Sequence, residues 1–276
     1  MRHARTIIAV ALLAAAVPTA AARAAGPSAN PPGMKRLSDE RTLSRWAYPN
    51  NHARVRSRPT GQARTVAKLH WLTEDNLPEI YLVLASWRDS HKNAWVKIRV
   101  PKRPNGITGW VPRRALRQYT SVRTFLDLNR SSLRLTLYRS GKAVMSAHVG
   151  IGSGSNPTPR GRFYIREKFR VAGAPVYGPF ALGTSAYAPH LTDWPGGGVV
   201  GLHGTNQPGL IPGRPSHGCI RLRNEKIARL YRLTPRGTPI HIHDLGCSSA
   251  CACGAAQRLL HHRGKGKRPR LGRDRK

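Results

Sequence analysis

Along most of this chain, apolar residues alternate with polar ones in short runs, and Gly, Pro, Asn and Ser break the runs apart. In the first half, residues 79–84 (EIYLVL), 94–100 (AWVKIRV) and 108–112 (TGWVP) read as strands, with a turn at Pro104-Asn105-Gly106. Short strands at this spacing predict a small barrel. A second β-rich unit begins near Ser121. Leu133, Leu135 and Leu137 alternate with polar neighbours, which suits a half-buried strand. Ser140-Gly141 turns the chain, and residues 144–149 (VMSAHV) form the return strand. Residues 162–165 (RFYI) predict a further strand, and residues 199–202 (VVGL) lead into His203 at a strand end. Asn224 is placed to cap a short helix with Ile227, Leu230 and Tyr231 on one face. Residues 239–243 (PIHIH) make a last strand, on which His241 and His243 face the same side and read as structural or surface residues. The pattern predicts an all-β protein with one short helix.

The two ends depart from this pattern. Arg2 and Arg5 precede the apolar run 7–17 (IIAVALLAAAV), and small residues follow, as in a secretory signal peptide over 1–25. An uncleaved anchor is the alternative, but the run is short for a bilayer span, and no other apolar run is long enough to cross. Either way the protein is expected to work outside the cytoplasmic membrane. Residues 26–42 read as a Pro/Gly/Ser-rich linker, and 246–276 as a basic, cysteine-containing tail with little to bury.

Charge narrows the partners. The chain has 47 Lys and Arg against 12 Asp and Glu, a formal charge of +35. Such a surface attracts polyanions. For an exported protein these are anionic wall polymers, and export argues against nucleic acid. Scattered Arg from compositional bias is the plainer alternative. Between residues 121 and 245 the carboxylates are Asp127, Glu167, Asp193, Glu225 and Asp244, with no tight local pair. That speaks against a two-carboxylate glycosidase. Of the four cysteines, Cys247, Cys251 and Cys253 cluster near the C-terminus, where a disulfide, a metal site or a bond to another chain are all open readings.

Cys219 stands apart, in residues 215–222 (PSHGCIRL), with His203 and His217 nearby. A thiol attacks carbonyls as thiolate, and an imidazole takes its proton. The segment therefore reads as an activated nucleophile for acyl transfer, with either histidine as its base. An inert thiol and a His/His/Cys zinc site are the competing readings, and the spacing has no metal-finger form.

Residues 158–163 (TPRGRF), 203–206 (HGTN), 216–224 (SHGCIRLRN) and Gly237-Thr238 occur in one order, and in them the span 121–245 resembles the catalytic domain of the L,D-transpeptidases, the YkuD family. The resemblance implies a β-sandwich that needs no metal or organic cofactor. It implies Cys219 as nucleophile, His203 as general base and later acid, and Gly204 as the residue whose carbonyl orients His203. It gives His217 a supporting role, gives the Gly218 and Cys219 N–H groups an oxyanion hole, and places Thr205, Arg221 and Asn224 at the substrate. The implied substrate is a peptidoglycan stem peptide. Water in place of an acceptor amine would make an L,D-carboxypeptidase, and a dead site would leave a wall-binding module. Residues 43–117 resemble a bacterial SH3-like domain at Val55-Arg56, Trp95-Val96-Lys97-Ile98 and Gly109-Trp110-Val111. Trp95 and Trp110 would then line a peptide groove or pack as core.

Overall fold

The computed structural model describes residues 30–192 and 197–244. The expected leader, residues 26–29 of the linker, and the basic tail with its three cysteines lie outside the described residues. Among the described residues, no helix is long and apolar enough to cross a membrane.

The first sheet contains β1 (Lys35–Arg36), β2 (Ser44–Ala47), β3 (Arg54–Arg56), β4 (Thr65–Lys68), β5 (Tyr81–Arg88), β6 (Ala94–Arg99), β7 (Thr108–Pro112) and β8 (Thr120–Val122). Its order is β4-β3-β7-β6-β5-β2-β8, with β1 also on β5. The sheet draws in Lys35–Arg36 and Thr120–Val122 on either side of the 43–117 span. Trp110 is fully buried, so it packs in the core and lines no groove. Trp95 borders an open cleft of about 680 Å³.

The second sheet contains β9 (Thr124–Asn129), β10 (Arg134–Arg139), β11 (Lys142–His148), β12 (Gly150–Gly152), β13 (Gly161–Arg170), β14 (Phe180–Tyr187), β15 (Val199–His203), β16 (Gly213–Ser216), β17 (Ile220–Arg221) and β18 (Pro239–His243). Their order is β11-β10-β9-β18-β13-β14-β15-β17-β12-β16. The described residues are thus all-β with one α-helix, α1 (Asn224–Leu233). On β10, Leu135 and Leu137 are buried while Arg134 is exposed and Thr136 and Tyr138 are half-buried, as alternation requires; Arg139, at the strand end, is exposed. On α1, Ile227 and Leu230 enter the second core. Burial of each contributes about 2 kcal/mol. Tyr231 lies beside them, stacked on Phe180 with ring centroids 4.6 Å apart.

Asn224 does not cap that helix. Arg223 occupies the cap position without a side-chain bond, and Asn224 is the first helical residue. Its side-chain oxygen instead accepts the Thr205 N–H at 2.9 Å.

Strand β13 runs past the expected 162–165 and buries five consecutive residues, including Arg166 and Glu167. A guanidinium, which does not give up its charge, continues a buried strand only if it is paired. Arg166 donates from Nε to Glu79 at 3.0 Å and from Nη2 to Glu74 at 3.1 Å, and both acceptors come from the first unit. A second Nη2 bond reaches the other Glu79 oxygen. Trp46, Ile80, Leu82, Val122 and Tyr164 form an apolar cluster beside it, where the Tyr164 hydroxyl donates to the Ile80 carbonyl at 2.8 Å. The two sheets therefore share a packed boundary. The first unit also holds the segment that follows β14. Asn105 bonds both the N–H and the carbonyl of Tyr187, at 3.0 and 2.8 Å. Arg103 donates to the carbonyls of Leu191 and Gly197, at 2.8 and 2.9 Å.

Candidate active site

Strands β15 and β17 are parallel neighbours, with His203 opposite Arg221 and Leu202 opposite Ile220. This register carries His203 and Cys219 to one end of the sheet. There they line a cavity of about 300 Å³ with Tyr177, Ala188, His217, Gly218 and Arg221, among others. The Arg103 and Asn105 bonds brace the chain around Ala188 and Leu191 on its wall.

The Cys219 turn is held from below. The Thr158 hydroxyl accepts the Gly152 N–H at 2.9 Å and donates to the Gly218 carbonyl at 2.7 Å. The Ser216 hydroxyl donates to the Cys219 carbonyl at 2.6 Å and accepts the Gly218 N–H at 3.2 Å. Gly218 has φ +122°, a conformation that a side chain would strain. Cys219 Sγ receives the Gly201 N–H at 3.4 Å. Burial pushes the Cys219 thiol above its ordinary pKa, against smaller downward pulls from the Gly201 N–H and the Arg221 charge.

His203 is buried, and its Nδ1 lies 2.6 Å from the Gly204 carbonyl. A carbonyl only accepts, so Nδ1 carries the proton and Nε2 is the basic nitrogen. Tyr177 meets the ring edge-on at 5.0 Å. Burial lowers the His203 pKa to about 4; the Gly204 bond pulls it up, and Arg221 adds a push downward. The resting pair is a neutral imidazole and a neutral thiol. Position 204 needs the absence of a side chain, because a Cβ on Gly204 would lie 2.3 Å from the Asn224 oxygen.

His217 is exposed at the cavity mouth. The Arg221 Nη1 reaches the Gln207 side chain at 3.3 Å, while its buried Nε has no hydrogen-bond partner among the described residues. Thr205 and Asn224 do not border the cavity; bonded to each other, they shape the loop after His203. Of the two N–H groups expected to form an oxyanion hole, that of Gly218 is engaged by the Ser216 hydroxyl. Sequence reasoning missed Gly201 and Tyr177. Gly201 sits in an unremarkable strand, and Tyr177 comes from a distant loop. Three larger clefts, about 540, 680 and 400 Å³, hold neither Cys219 nor His203.

Residues 123–242 match the family model described as the L,D-transpeptidase catalytic domain, YkuD. The L,D-transpeptidase relative YkuD of Bacillus subtilis (strain 168) is 31% identical over 109 residues, which are 40% of this chain and 59% of that protein. The relative ErfK/SrfK of Salmonella typhimurium (strain LT2) is 31% identical over 170 residues, covering 55% of this chain and 53% of that one. The chain thus spans somewhat over half the length of these curated relatives. Among solved structures, an L,D-transpeptidase from Mycobacterium smegmatis aligns with 75% of this chain and 87% of its own at 18% identity, with a TM-score of 0.37.

Proposed function

From the premise that residues 123–242 are an L,D-transpeptidase catalytic domain of the YkuD family, we propose that the protein is an exported L,D-transpeptidase. In this reading it forms 3→3 peptidoglycan crosslinks through a Cys219 thioester. The observation that carries the reading is a buried, neutral His203, fixed by Gly204, in one cavity with Cys219.

His203 Nε2 takes the Sγ proton as sulfur attacks the carbonyl before the terminal D-alanine of a tetrapeptide stem. The Gly201 N–H steadies the charge growing on sulfur, and the Cys219 N–H receives the oxyanion. The imidazolium then returns its proton to the departing D-alanine amine, leaving the thioester. An amine from a neighbouring stem loses a proton to His203 and displaces Cys219. Arg221, with its free Nε, holds a substrate carboxylate. His217 contacts substrate at the mouth. The SH3-like unit and the basic tail keep the enzyme on anionic wall polymers.

Incubation of the protein with disaccharide-tetrapeptides, followed by mass spectrometry, tests this. Crosslinked dimers with loss of D-alanine are expected. Tripeptides alone would mean that water resolves the thioester, as in an L,D-carboxypeptidase. Unchanged tetrapeptides would refute both readings.

A further inference from the structure

A second group of chemically capable side chains lies outside the Cys219 cavity. Strand β18 runs parallel to β9, with His241 directly opposite Asp127. His241 and His243 are two residues apart on that strand and project from the same face. All three side chains are half-buried, and one ligand atom from each lies within 4.8 Å of the others. His243 Nε2 is 3.1 Å from both Asp127 oxygens. The two imidazole rings are 4.8 Å apart between centroids. The His241 ring makes no hydrogen bond to another described residue.

The second ring nitrogen of His243 is already assigned. Nδ1 lies 2.9 Å from the Asp244 carbonyl, so Nδ1 carries the hydrogen and Nε2 is the nitrogen turned to Asp127. Metal-ligating histidines are oriented in this way, through a carbonyl on the far nitrogen. Two ligands on a tetrahedral ion with bonds of about 2.0–2.1 Å lie roughly 3.3–3.4 Å apart. The Asp127–His243 separation is close to that. We propose that Asp127, His241 and His243 form a site for a divalent cation of the zinc and cobalt class. Imidazole donors favour these ions over calcium or magnesium.

The nearby guanidiniums have other partners. Arg160 and Arg130 lie 2.7 and 3.4 Å from Asp244, and Arg162 lies 3.7 Å from Glu40. They leave the carboxylate of Asp127 to the ion, although their positive field limits affinity. A bound ion ties together β9 and β18, the first and last strands of the second sheet.

Cobalt(II) is the probe. The full-length protein, reduced and stripped with a chelator, is titrated in a Cys219→Ala background that removes the cavity thiol. The expected result is a set of d–d absorption bands without a sulfur-to-cobalt charge-transfer band, displaced by zinc(II). Asp127→Asn, His241→Gln and His243→Gln, each checked for folding by circular dichroism, should each weaken binding at least about tenfold. A sulfur band would place the ion on Cys247, Cys251 or Cys253 and overturn the proposal. So would no d–d bands, or binding untouched by all three substitutions.

Discussion

His203 and His243 make the same local hydrogen bond and end with opposite acid–base character. Each closes a strand, and each turns Nδ1 to the carbonyl of the next residue, at 2.6 Å in one and 2.9 Å in the other. Burial lowers the pKa of both. For His203 burial wins, with Arg221 adding to it, and the value falls to about 4. For His243 burial is the largest single effect, but the Asp244 carbonyl, the facing Asp127 and the Asp244 charge together outweigh it and raise the pKa. The carbonyl fixes the tautomer in both places. What meets the rest of the ring sets the charge. A buried imidazole with only a carbonyl partner stays neutral at pH 7, whereas a carboxylate partner favours the cation.

The comparison breaks most visibly at the nucleophile. Cys219→Ser should abolish the covalent adduct with a carbapenem, an inhibitor class implied by the family resemblance, in intact-mass spectra. A hydroxyl ionises far less readily than a thiol and is the weaker nucleophile in a site built around sulfur. An adduct equal to wild type would remove Cys219 from the mechanism.

The next effect ranks the two cavity histidines. His203→Ala should slow acylation by about 10²–10⁴-fold, the usual worth of a general base. His217→Ala, which removes an exposed ring at the mouth, should slow it less. Single-turnover kinetics decide, and the reverse order would exchange their roles.

Buried charge outside the site extends the contrast. Arg166 stays ionised between Glu79 and Glu74, its pKa held up by Glu79 against burial. Breaking a buried pair from one side costs about 3–5 kcal/mol. Glu79→Ala should lower the urea-unfolding free energy by about that amount, and a loss below 1 kcal/mol would mean that the pair contributes little.

Glu167 is the unpaired counterpart. Its oxygens have no hydrogen-bond partner by geometry among the described residues, and burial raises its pKa to about 7. The folded state then holds a proton that the unfolded chain releases from about pH 4.5 upward, so this group's contribution falls as pH rises to about 7. His203 acts oppositely between about pH 4 and 6.5, where folding excludes a proton, so its contribution is lost as pH falls. The wild-type curve mixes the two. The difference between Glu167→Gln and wild type isolates the first: about 2–3 kcal/mol in favour of the variant at pH 8, vanishing near pH 4. A difference independent of pH would contradict it.

Legibility in the sequence followed the range of the interactions. Leu135 and Leu137, the turn at Ser140-Gly141, and the path from residue 199 into His203 depend on neighbours along the chain, and the alternation shows them. Cys219 and His203 stood out because residues 203–221 carry their chemistry in one stretch. Arg166 did not read as a buried strand residue, because its partners, Glu79 and Glu74, lie 87 and 92 positions away. Asp127 stood 114 positions from His241 and met it only through the parallel pairing of β9 and β18. Asn224 looked like a helix cap because the residue type suits one, yet the Thr205 N–H, 19 positions earlier, takes its oxygen. The bond from the Gly218 N–H to the Ser216 hydroxyl was equally hidden, since the two meet only once the turn is formed.

The neutrality of His203 is tested most directly by the pH profile of Cys219 acylation, measured as single-turnover adduct formation by the full-length protein. If burial holds the imidazole near pKa 4, the rate stays close to its neutral-pH value through about pH 5 and falls by half near pH 4. A half-loss near pH 6.5, the ordinary histidine value, would show that His203 is protonated like an exposed imidazole and contradict the neutral-base account.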